Sequence, residues 1–195
     1  DRMEQVLGER ELYDRIAARI KKRQYDAVGI IEFEPALAKY FKSLNYEWLQ
    51  KYHKVEPTDK KLLEDPEGQI ISKGGAVIFA RLDNETVGTG ALIKHDDSTY
   101  EIAKMAVAEK WRGRQAGNKL TTTLIDRARK AGAERIFLET SPNMIPAISL
   151  YKKLGFVNCE NIIPPRYERE SITMMLSPQN IKTKGKKNEK RSSER

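Results

Sequence analysis

The sequence has few cysteines, few histidines and no long apolar run. Among its 195 residues Cys159 is the only cysteine, which excludes an internal disulfide framework. No stretch of about 18 apolar residues is present to span a membrane, and nothing near the start resembles a signal peptide. The two histidines, His53 and His95, lack metal-ligand spacing. We therefore expect a soluble, cytoplasmic protein with no membrane association and no metal site.

The formal net charge of +8 is concentrated at one end of the chain. After Ser177, seven Lys and Arg residues face two Glu residues, so five of the eight charges belong to this short segment. Because no apolar residue follows Ile181, we expect residues 178–195 to form a basic, disordered tail. The alternative is a weak, salt-sensitive contact of this tail with nucleic acid.

The first residues, 1–25, are expected to form a helical extension. Leu12, Ile16 and Ile20 recur four residues apart, which predicts an amphipathic helix. This helix could dock on the domain that follows, pair with a partner, or be the remnant of another domain, since the chain begins with Asp1 rather than methionine. A homodimer is left open.

The remaining residues, 26–177, predict one α/β domain. Short or alternating apolar runs indicate strands, and apolar residues at helical spacing indicate helices. The predicted strands span residues 28–33, 76–82, 86–94, 100–107, 135–139, 156–159 and 170–176, and the predicted helices span residues 35–52, 58–65, 115–131 and 147–154. Three successive strands joined by short turns must run antiparallel, and a strand-helix-strand unit follows them. We therefore expect a mixed, mostly antiparallel sheet with helices on both faces.

A short basic loop lies between the strand over residues 100–107 and the next helix. The loop holds Arg112, Gly113 and Arg114, and the helix opens near Gly117. A helix N-terminus offers unpaired N–H groups and the positive end of a dipole, so this arrangement predicts a phosphate site. Three residues separate the two glycines and no third glycine follows, which excludes a Walker loop and a dinucleotide fingerprint.

The loop resembles the phosphate-binding motif of the GNAT superfamily of acyl-CoA-dependent N-acyltransferases, Arg/Gln-x-x-Gly-x-Gly/Ala. Arg112 and Gly117 match its first and last positions, and Gln115 replaces its middle glycine, where we expect a helical backbone. The segment A-I-S-L-Y-K-K-L-G-F, residues 147–156, resembles a second motif of the family. In that motif a tyrosine, here Tyr151, faces the sulfur of coenzyme A.

The resemblance covers residues 27–176 and implies a GNAT-like single domain that uses acetyl-CoA as co-substrate. It places the backbone N–H of Ala106 near the thioester oxygen, with Met105 and Val107 bonding the pantetheine arm as an added strand would. The cofactor-binding residues that it implies are Met105, Ala106, Val107, Arg112, Gly113, Arg114, Gln115, Ala116, Gly117, Asn118, Asn143 and Tyr151.

Acyl transfer to an amine needs a base for the ammonium proton and an acid for the departing thiolate. Glu101 is the candidate base, because its strand position matches the base carboxylate of histone-acetylating family members. By strict alternation it shares a face with Met105 and Val107, an apolar setting of the kind that raises a carboxyl pKa. The alternative is an ion pair with Lys104 or Arg135 at the sheet rim.

Tyr151 is the candidate acid, since a phenol with a pKa of about 10 can protonate a thiolate whose pKa is about 8.5. The alternative is an aromatic side chain that only packs. Glu139 could touch an acceptor, although a structural hydrogen bond is the plainer expectation. The acceptor pocket is expected from residues 40–67 and 162–167, with candidate contacts Tyr46, Trp48, His53 and Arg166.

The leading hypothesis is an N-acetyltransferase that moves the acetyl group of acetyl-CoA directly to a primary amine of a small molecule or amino acid. One alternative is a CoA-binding regulatory domain without catalysis. Another is the acetyltransferase half of a MarR-type transcriptional regulator, because some bacterial family members carry this domain behind a winged helix.

Overall fold

The computed structural model describes residues 2–160, 162–164 and 166–181, with side chains described from residue 10 onward within these ranges. Their helices and strands follow the predicted order. In chain order they are α1 (Arg2–Ala27), β1 (Gly29–Glu32), α2 (Ala38–Tyr52), α3 (Pro57–Glu64), α4 (Pro66–Gln69), β2 (Ala76–Leu82), β3 (Glu85–Lys94), β4 (Thr99–Val107), α5 (Ala116–Lys130), β5 (Arg135–Thr140), α6 (Ile145–Lys153), β6 (Phe156–Cys159), β7 (Ile172–Leu176) and α7 (Pro178–Ile181).

The strands of the described residues form one sheet in the order β1-β2-β3-β4-β5-β7-β6. Neighbouring strands run antiparallel except β4 and β5, which are parallel and are connected through α5. The last strand, β7, lies between β5 and β6. The predicted fold class, a mixed and mostly antiparallel sheet with helices on both faces, is confirmed.

Side chains of the central strands alternate between two helical layers, as the two-residue period of a strand requires. Val77 and Phe79 of β2 belong to the core cluster formed with α2 and α3. Ile78 and Ala80 belong to the cluster formed with α5 and α6. The sheet is therefore covered on both faces, and a functional site has room only where neighbouring strands or loops separate.

A β-bulge interrupts this alternation in the middle of β4. Ala103 pairs with Ala91 and Ala106 pairs with Thr89, so two residues of β4 stand opposite one residue of β3. Lys104, one of the two, has a φ of +52°. Residues beyond the bulge therefore face the opposite side from the one that strict alternation predicts.

The bulge corrects one expectation from the sequence. Glu101 does not share a face with Met105 and Val107: its cross-strand partner Ile93 packs with α2 and α3, whereas Met105 and Val107 pack with α5. Gly90 stands opposite the bulge, where a Cβ would lie 2.4 Å from the sulfur of Met105. Because Gly90 has no side chain, Met105 has space beside the bulge.

The parallel strands β4 and β5 pair only at the beginning of β4. Their register starts with Thr99 beside Arg135 and ends with Glu101 beside Phe137. Beyond this point the strands separate, so β4 from Ile102 onward has no β5 partner along that edge. The separation opens a wedge in the sheet, and an unpaired strand edge can accept an extended ligand.

Helix α1 is longer than predicted and touches α5 near its C-terminal end. Tyr25 Oη lies 2.7 Å from Thr122 Oγ1 of α5. Leu12, Ile16 and Ile20 remain 55%, 49% and 53% exposed. The extension therefore docks through its last turns and leaves its apolar stripe in solvent.

The described residues extend four positions into the predicted tail. Pro178–Ile181 form α7, and Ile181 packs against the core. Arg129 donates a hydrogen bond to the carbonyl oxygen of Asn180. The rest of the predicted tail, residues 182–195, lies outside the described residues. Within the described chain no helix has the length and apolar character needed to cross a bilayer.

Candidate active site

A cavity of about 890 Å³ opens where β4 and β5 separate. The predicted site residues that line it are Glu101, Met105, Ala106, Val107, Arg112, Gly113, Gln115, Ala116, Gly117, Asn118, Asn143 and Tyr151. Arg114 does not line the cavity; its guanidinium lies over the Trp111 ring at 4.8 Å from the centroid. The fold thus brings residues from β4, α5, α6 and the end of β5 to one space.

Residues 112–118, here called the phosphate cradle, are shaped by backbone conformation. Gly113 has a φ of +78° and Gln115 a φ of +65°. Left-handed residues before a helix turn neighbouring N–H groups toward one side, where an anion can be held at the N-terminus of α5. The expected helical backbone at Gln115 is therefore wrong. Glycine adopts this conformation without strain, whereas a side chain costs about 1–2 kcal/mol there.

The strain at Gln115 has a local compensation. Its Oε1 accepts a hydrogen bond from Asn118 Nδ2 at 2.9 Å, one turn into α5. The Oδ1 atom of Asn118 is buried and has no hydrogen-bond partner among the described residues. An anion cradle and an open strand edge in one cavity fit the extended, phosphate-bearing cofactor that the sequence resemblance implies.

Tyr151 lies on α6, which has Pro146 in its first turn. The helix ends before Gly155, whose φ is +95°. The side chain is 6% exposed and lines the cavity. Its ring packs edge-on against Phe156, with centroids 5.9 Å apart. Burial raises the pKa of the Tyr151 hydroxyl to about 12. The residue therefore packs in the core and also borders the site.

Glu101 is 2% exposed, and both of its carboxylate oxygens have polar partners. Oε1 accepts a hydrogen bond from Arg166 Nη2 at 2.5 Å, and Oε2 lies 2.8 Å from His95 Nε2. The expected apolar setting is wrong. The alternative pairing is also wrong, because Lys104 and Arg135 pair with other carboxylates.

Glu139 stands beside this pair at the end of β5. Its Oε2 lies 3.6 Å from Arg166 Nη2, and its side chain is 10% exposed. Burial and, after it, the charge of Glu101 raise the pKa of the Glu139 carboxyl. One guanidinium thus faces two carboxylates. The parallel pairing of β4 and β5, which the sequence predicted, was the signal that could have found Glu139. In this pairing Phe137 lies beside Glu101, and Glu139 follows two residues further along β5.

A second group of charges, here called the charge network, joins α3 to β4 and to the segment before β7. Its members are Glu56, Asp59, Lys104, Tyr167 and Arg169. Asp59 is fully buried, 2.6 Å from Lys104 Nζ and 2.6 and 2.9 Å from the two Nη atoms of Arg169. Lys104 also donates to the Tyr167 hydroxyl at 3.0 Å.

The pKa of Asp59 reflects these contacts. Burial alone would raise it, but the hydrogen bonds from Arg169 and the charge of Lys104 lower it to about 2. The sequence carried no signal for the network, because Lys104 and Arg169 lie 45 and 110 positions from Asp59. Lys104, Tyr167 and Arg169 also line the cavity, so the network forms part of its wall.

Two of the four candidate acceptor contacts line the cavity. Trp48 and His53 do so and meet edge to face, with ring centroids 5.5 Å apart. Tyr46 instead lies 3.5 Å from an exposed carboxylate, and Arg166 is paired with Glu101. In the part of the chain that the structure describes, no group of three or more His, Cys, Asp or Glu side chains could hold a metal ion.

Comparison with known proteins bears on the family. The model of the acetyltransferase (GNAT) family matches residues 40–156, more than half of the chain. The uncharacterized N-acetyltransferase YvbK of Bacillus subtilis is 34% identical over 101 residues, which make up 50% of this chain and 65% of that protein. The chain spans less than two thirds of the length of the curated relatives that it matches.

Solved structures share the fold. An acetyltransferase of the GNAT family from Staphylococcus aureus Mu50 has a TM-score of 0.70 at 23% identity, covering 76% of this chain and 98% of that chain. A GNAT family acetyltransferase from Elizabethkingia anophelis with acetyl-CoA bound has a TM-score of 0.53 at 21% identity, covering 77% and 98%. The family-model match and the common fold confirm the predicted family: this chain belongs to the GNAT family of acetyltransferases.

Proposed function

We propose that this chain is an N-acetyltransferase that moves the acetyl group of acetyl-CoA directly to a primary amine of a small molecule or amino acid. One observation carries the proposal: the phosphate cradle, the open edge of β4, Tyr151, Glu101 and Glu139 all line one cavity. Because the groups for the donor and for the acceptor border the same space, the transfer needs no carrier on the protein.

Acetyl-CoA supplies an activated thioester when it is bound. The phosphate cradle would hold its pyrophosphate through backbone N–H groups, with Asn143 on the same cavity wall. Backbone groups of Met105 and Val107 would pair with the pantetheine arm along the open edge of β4. Because Ala108 N donates to Val87 O, alternation turns the N–H of Ala106 toward β3, and the donor expected there is wrong. The N–H of Met105, on the open edge, would donate to the thioester carbonyl oxygen instead.

We propose that Glu101 removes the proton of the acceptor ammonium. Glu139 is the second candidate for this base. At pH 7 only about one part in a thousand of an alkylammonium is neutral, a cost of about 4 kcal/mol that a base relieves. Glu101 is held in place by Arg166 and His95, and it would act directly or through a water molecule. The raised pKa of Glu139 favours the second candidate, because a carboxylate with a higher pKa is a stronger base.

Tyr151 is the proposed acid for the departing thiolate. With a pKa of about 12, its hydroxyl keeps its proton at neutral pH. The conjugate thiol of the leaving group has a pKa of about 8.5, and water would otherwise have to supply the proton. The ring packs against Phe156, which holds the side chain at the edge of the cavity.

A screen of primary amines and amino acids against acetyl-CoA, with free thiol as the signal, tests the proposal. Glu101→Gln and Glu139→Gln each remove a carboxylate at nearly constant volume. We expect kcat/KM to fall about 100-fold in the variant that lacks the base, with CoA affinity unchanged within about twofold. Glu85→Gln, which breaks an exposed pair with Lys110, is the matched control.

Different outcomes identify different functions. If Glu139 is the base, the acidic limb of the kcat/KM profile lies above the ordinary carboxyl value of 4.5 and disappears in Glu139→Gln. A protein that binds CoA but releases no free thiol in the presence of any tested amine would contradict the enzyme. That result would favour a regulatory CoA-binding domain. Salt-sensitive DNA binding without turnover would favour a MarR-type regulator.

A further inference from the structure

The N-terminal helix brings a cation to the cavity. Lys21 of α1 lines the same cavity as Arg112 and Asn118 of the phosphate cradle. Helix α1 ends at Ala27, whereas the match to the family model starts at position 40. An element outside that match therefore contributes a side chain to the site.

Contacts of Tyr25 fix the position of Lys21. Tyr25 Oη lies 2.7 Å from Thr122 Oγ1, and Lys119 Nζ lies 4.2 Å from the centroid of the Tyr25 ring. One turn back along α1 from Tyr25 is Lys21, and one turn back along α5 from Thr122 is Asn118. Because both of these residues line the cavity, α1 runs beside the first turn of α5 and places Lys21 near the N-terminal end of α5.

The two neighbouring lysines of α1 differ in their partners. Lys22 Nζ lies 2.6 Å from Asp26 Oδ2, in a pair whose side chains are 77% and 56% exposed. Lys21 makes no ion pair with any residue that the structure describes. Its charge, together with that of Arg112, is therefore available to an anion in the cavity.

We propose that Lys21 binds a phosphate group of the cofactor, which makes α1 part of the cofactor site. The proposal rests on the proposed function, because it requires coenzyme A in the cavity. Coenzyme A carries a pyrophosphate and a ribose 3′-phosphate, and an ammonium group recognises either one by charge. By linkage, a cofactor that contacts Lys21 also stabilises the docked position of α1.

Calorimetric titration of the full chain with CoA and with 3′-dephospho-CoA tests the contact. Lys21→Ala should weaken CoA binding about fivefold, the size of an exposed ion pair, and added salt should reduce the difference. Lys22→Ala removes the same charge one position away and should change the affinity by less than about 1.5-fold. An equal loss for 3′-dephospho-CoA assigns Lys21 to the pyrophosphate, and a loss confined to CoA assigns it to the 3′-phosphate.

Hydrogen exchange gives a second measurement that does not depend on activity. Bound CoA should slow amide exchange over residues 20–27 in the wild type and not in Lys21→Ala. Wild-type affinity in Lys21→Ala, or equal losses in Lys21→Ala and Lys22→Ala, would overturn the contact. A wild-type protein that binds no CoA would overturn the proposed function together with the contact.

Discussion

The phosphate cradle and the charge network border the same cavity but are built from different interactions. The cradle is a continuous segment shaped by positive φ at Gly113 and Gln115 before the N-terminus of α5. The network is a set of buried side chains around Asp59 that come from three distant segments. Backbone recognition tolerates a change of side chain, whereas a buried ion pair fails when either partner is removed. We therefore expect the side chains of the cradle to vary without loss of the fold, and those of the network not to.

The largest expected effect is on the network. Asp59→Asn should lower the free energy of unfolding by about 3–5 kcal/mol, because Lys104 and Arg169 lose their buried counter-charge. Urea denaturation measures the change. Glu64→Gln, which breaks an exposed pair with Lys42, should cost less than about 1 kcal/mol. A loss below about 1 kcal/mol in Asp59→Asn would remove the contrast between the two regions.

Tyr151 lines the same cavity as the two regions, and its hydroxyl should matter for turnover alone. Tyr151→Phe keeps the packing and removes the acid, so kcat should fall about 100-fold while the Kd for CoA stays within about twofold. Tyr46→Phe, which removes a hydroxyl outside the cavity lining, is the control for the substitution. A Tyr151→Phe protein with wild-type kcat would show that the residue only packs.

Acid should weaken the network through Asp59. The folded-state pKa of Asp59, about 2, lies below its ordinary value of 3.8. The ionised carboxylate therefore contributes stability that is complete above pH 4 and is lost as the pH falls toward 2. This loss amounts to about 2 kcal/mol in urea unfolding between pH 5 and pH 2. Asp59→Asn should lack it, and an identical pH dependence in that variant would contradict the assignment.

The smallest expected effect is in the cradle. Gln115→Gly relieves the left-handed strain but adds the entropy of glycine and loses the bond from Asn118, so the free energy of unfolding should change by less than about 1 kcal/mol. Gln115→Ala keeps the strain and loses the bond from Asn118, so it should lower that free energy by about 1 kcal/mol. Calorimetric melting separates the two variants. A glycine variant no more stable than the alanine variant would show that the cradle is unstrained.

Local patterns made much of the fold predictable from the sequence. Strands β2 and β6 occupy the predicted residues, and the turn between β2 and β3 uses Asp83 and Asn84 at positive φ, as a tight hairpin requires. The cradle was predictable for the same reason, because its contacts lie within one short segment. The backbone conformation of the cradle was not predicted. At Gln115 we expected the helical conformation of the next residues, although the family motif has a glycine at this position.

Local sequence patterns did not predict the network or the bulge. Asp59 meets Arg169 across 110 positions, and a single sequence does not show which distant charges meet. The bulge depends on Gly90 of the neighbouring strand as well as on β4 itself. Alternation along β4 therefore predicted the wrong face for Met105 relative to Glu101.

The bulge at Lys104 divides β4 into two segments in which odd- and even-numbered residues face opposite sides of the sheet. Before it, Glu101 and Ala103 point to the layer of α2 and α3, and after it the same layer is reached by Ala106. Regular strand pairing of Lys104 would restore strict alternation and exchange the faces of every later position in the strand. The bulged pairing between Glu101 and Ala106 is therefore as much a constraint on this site as the identity of these residues.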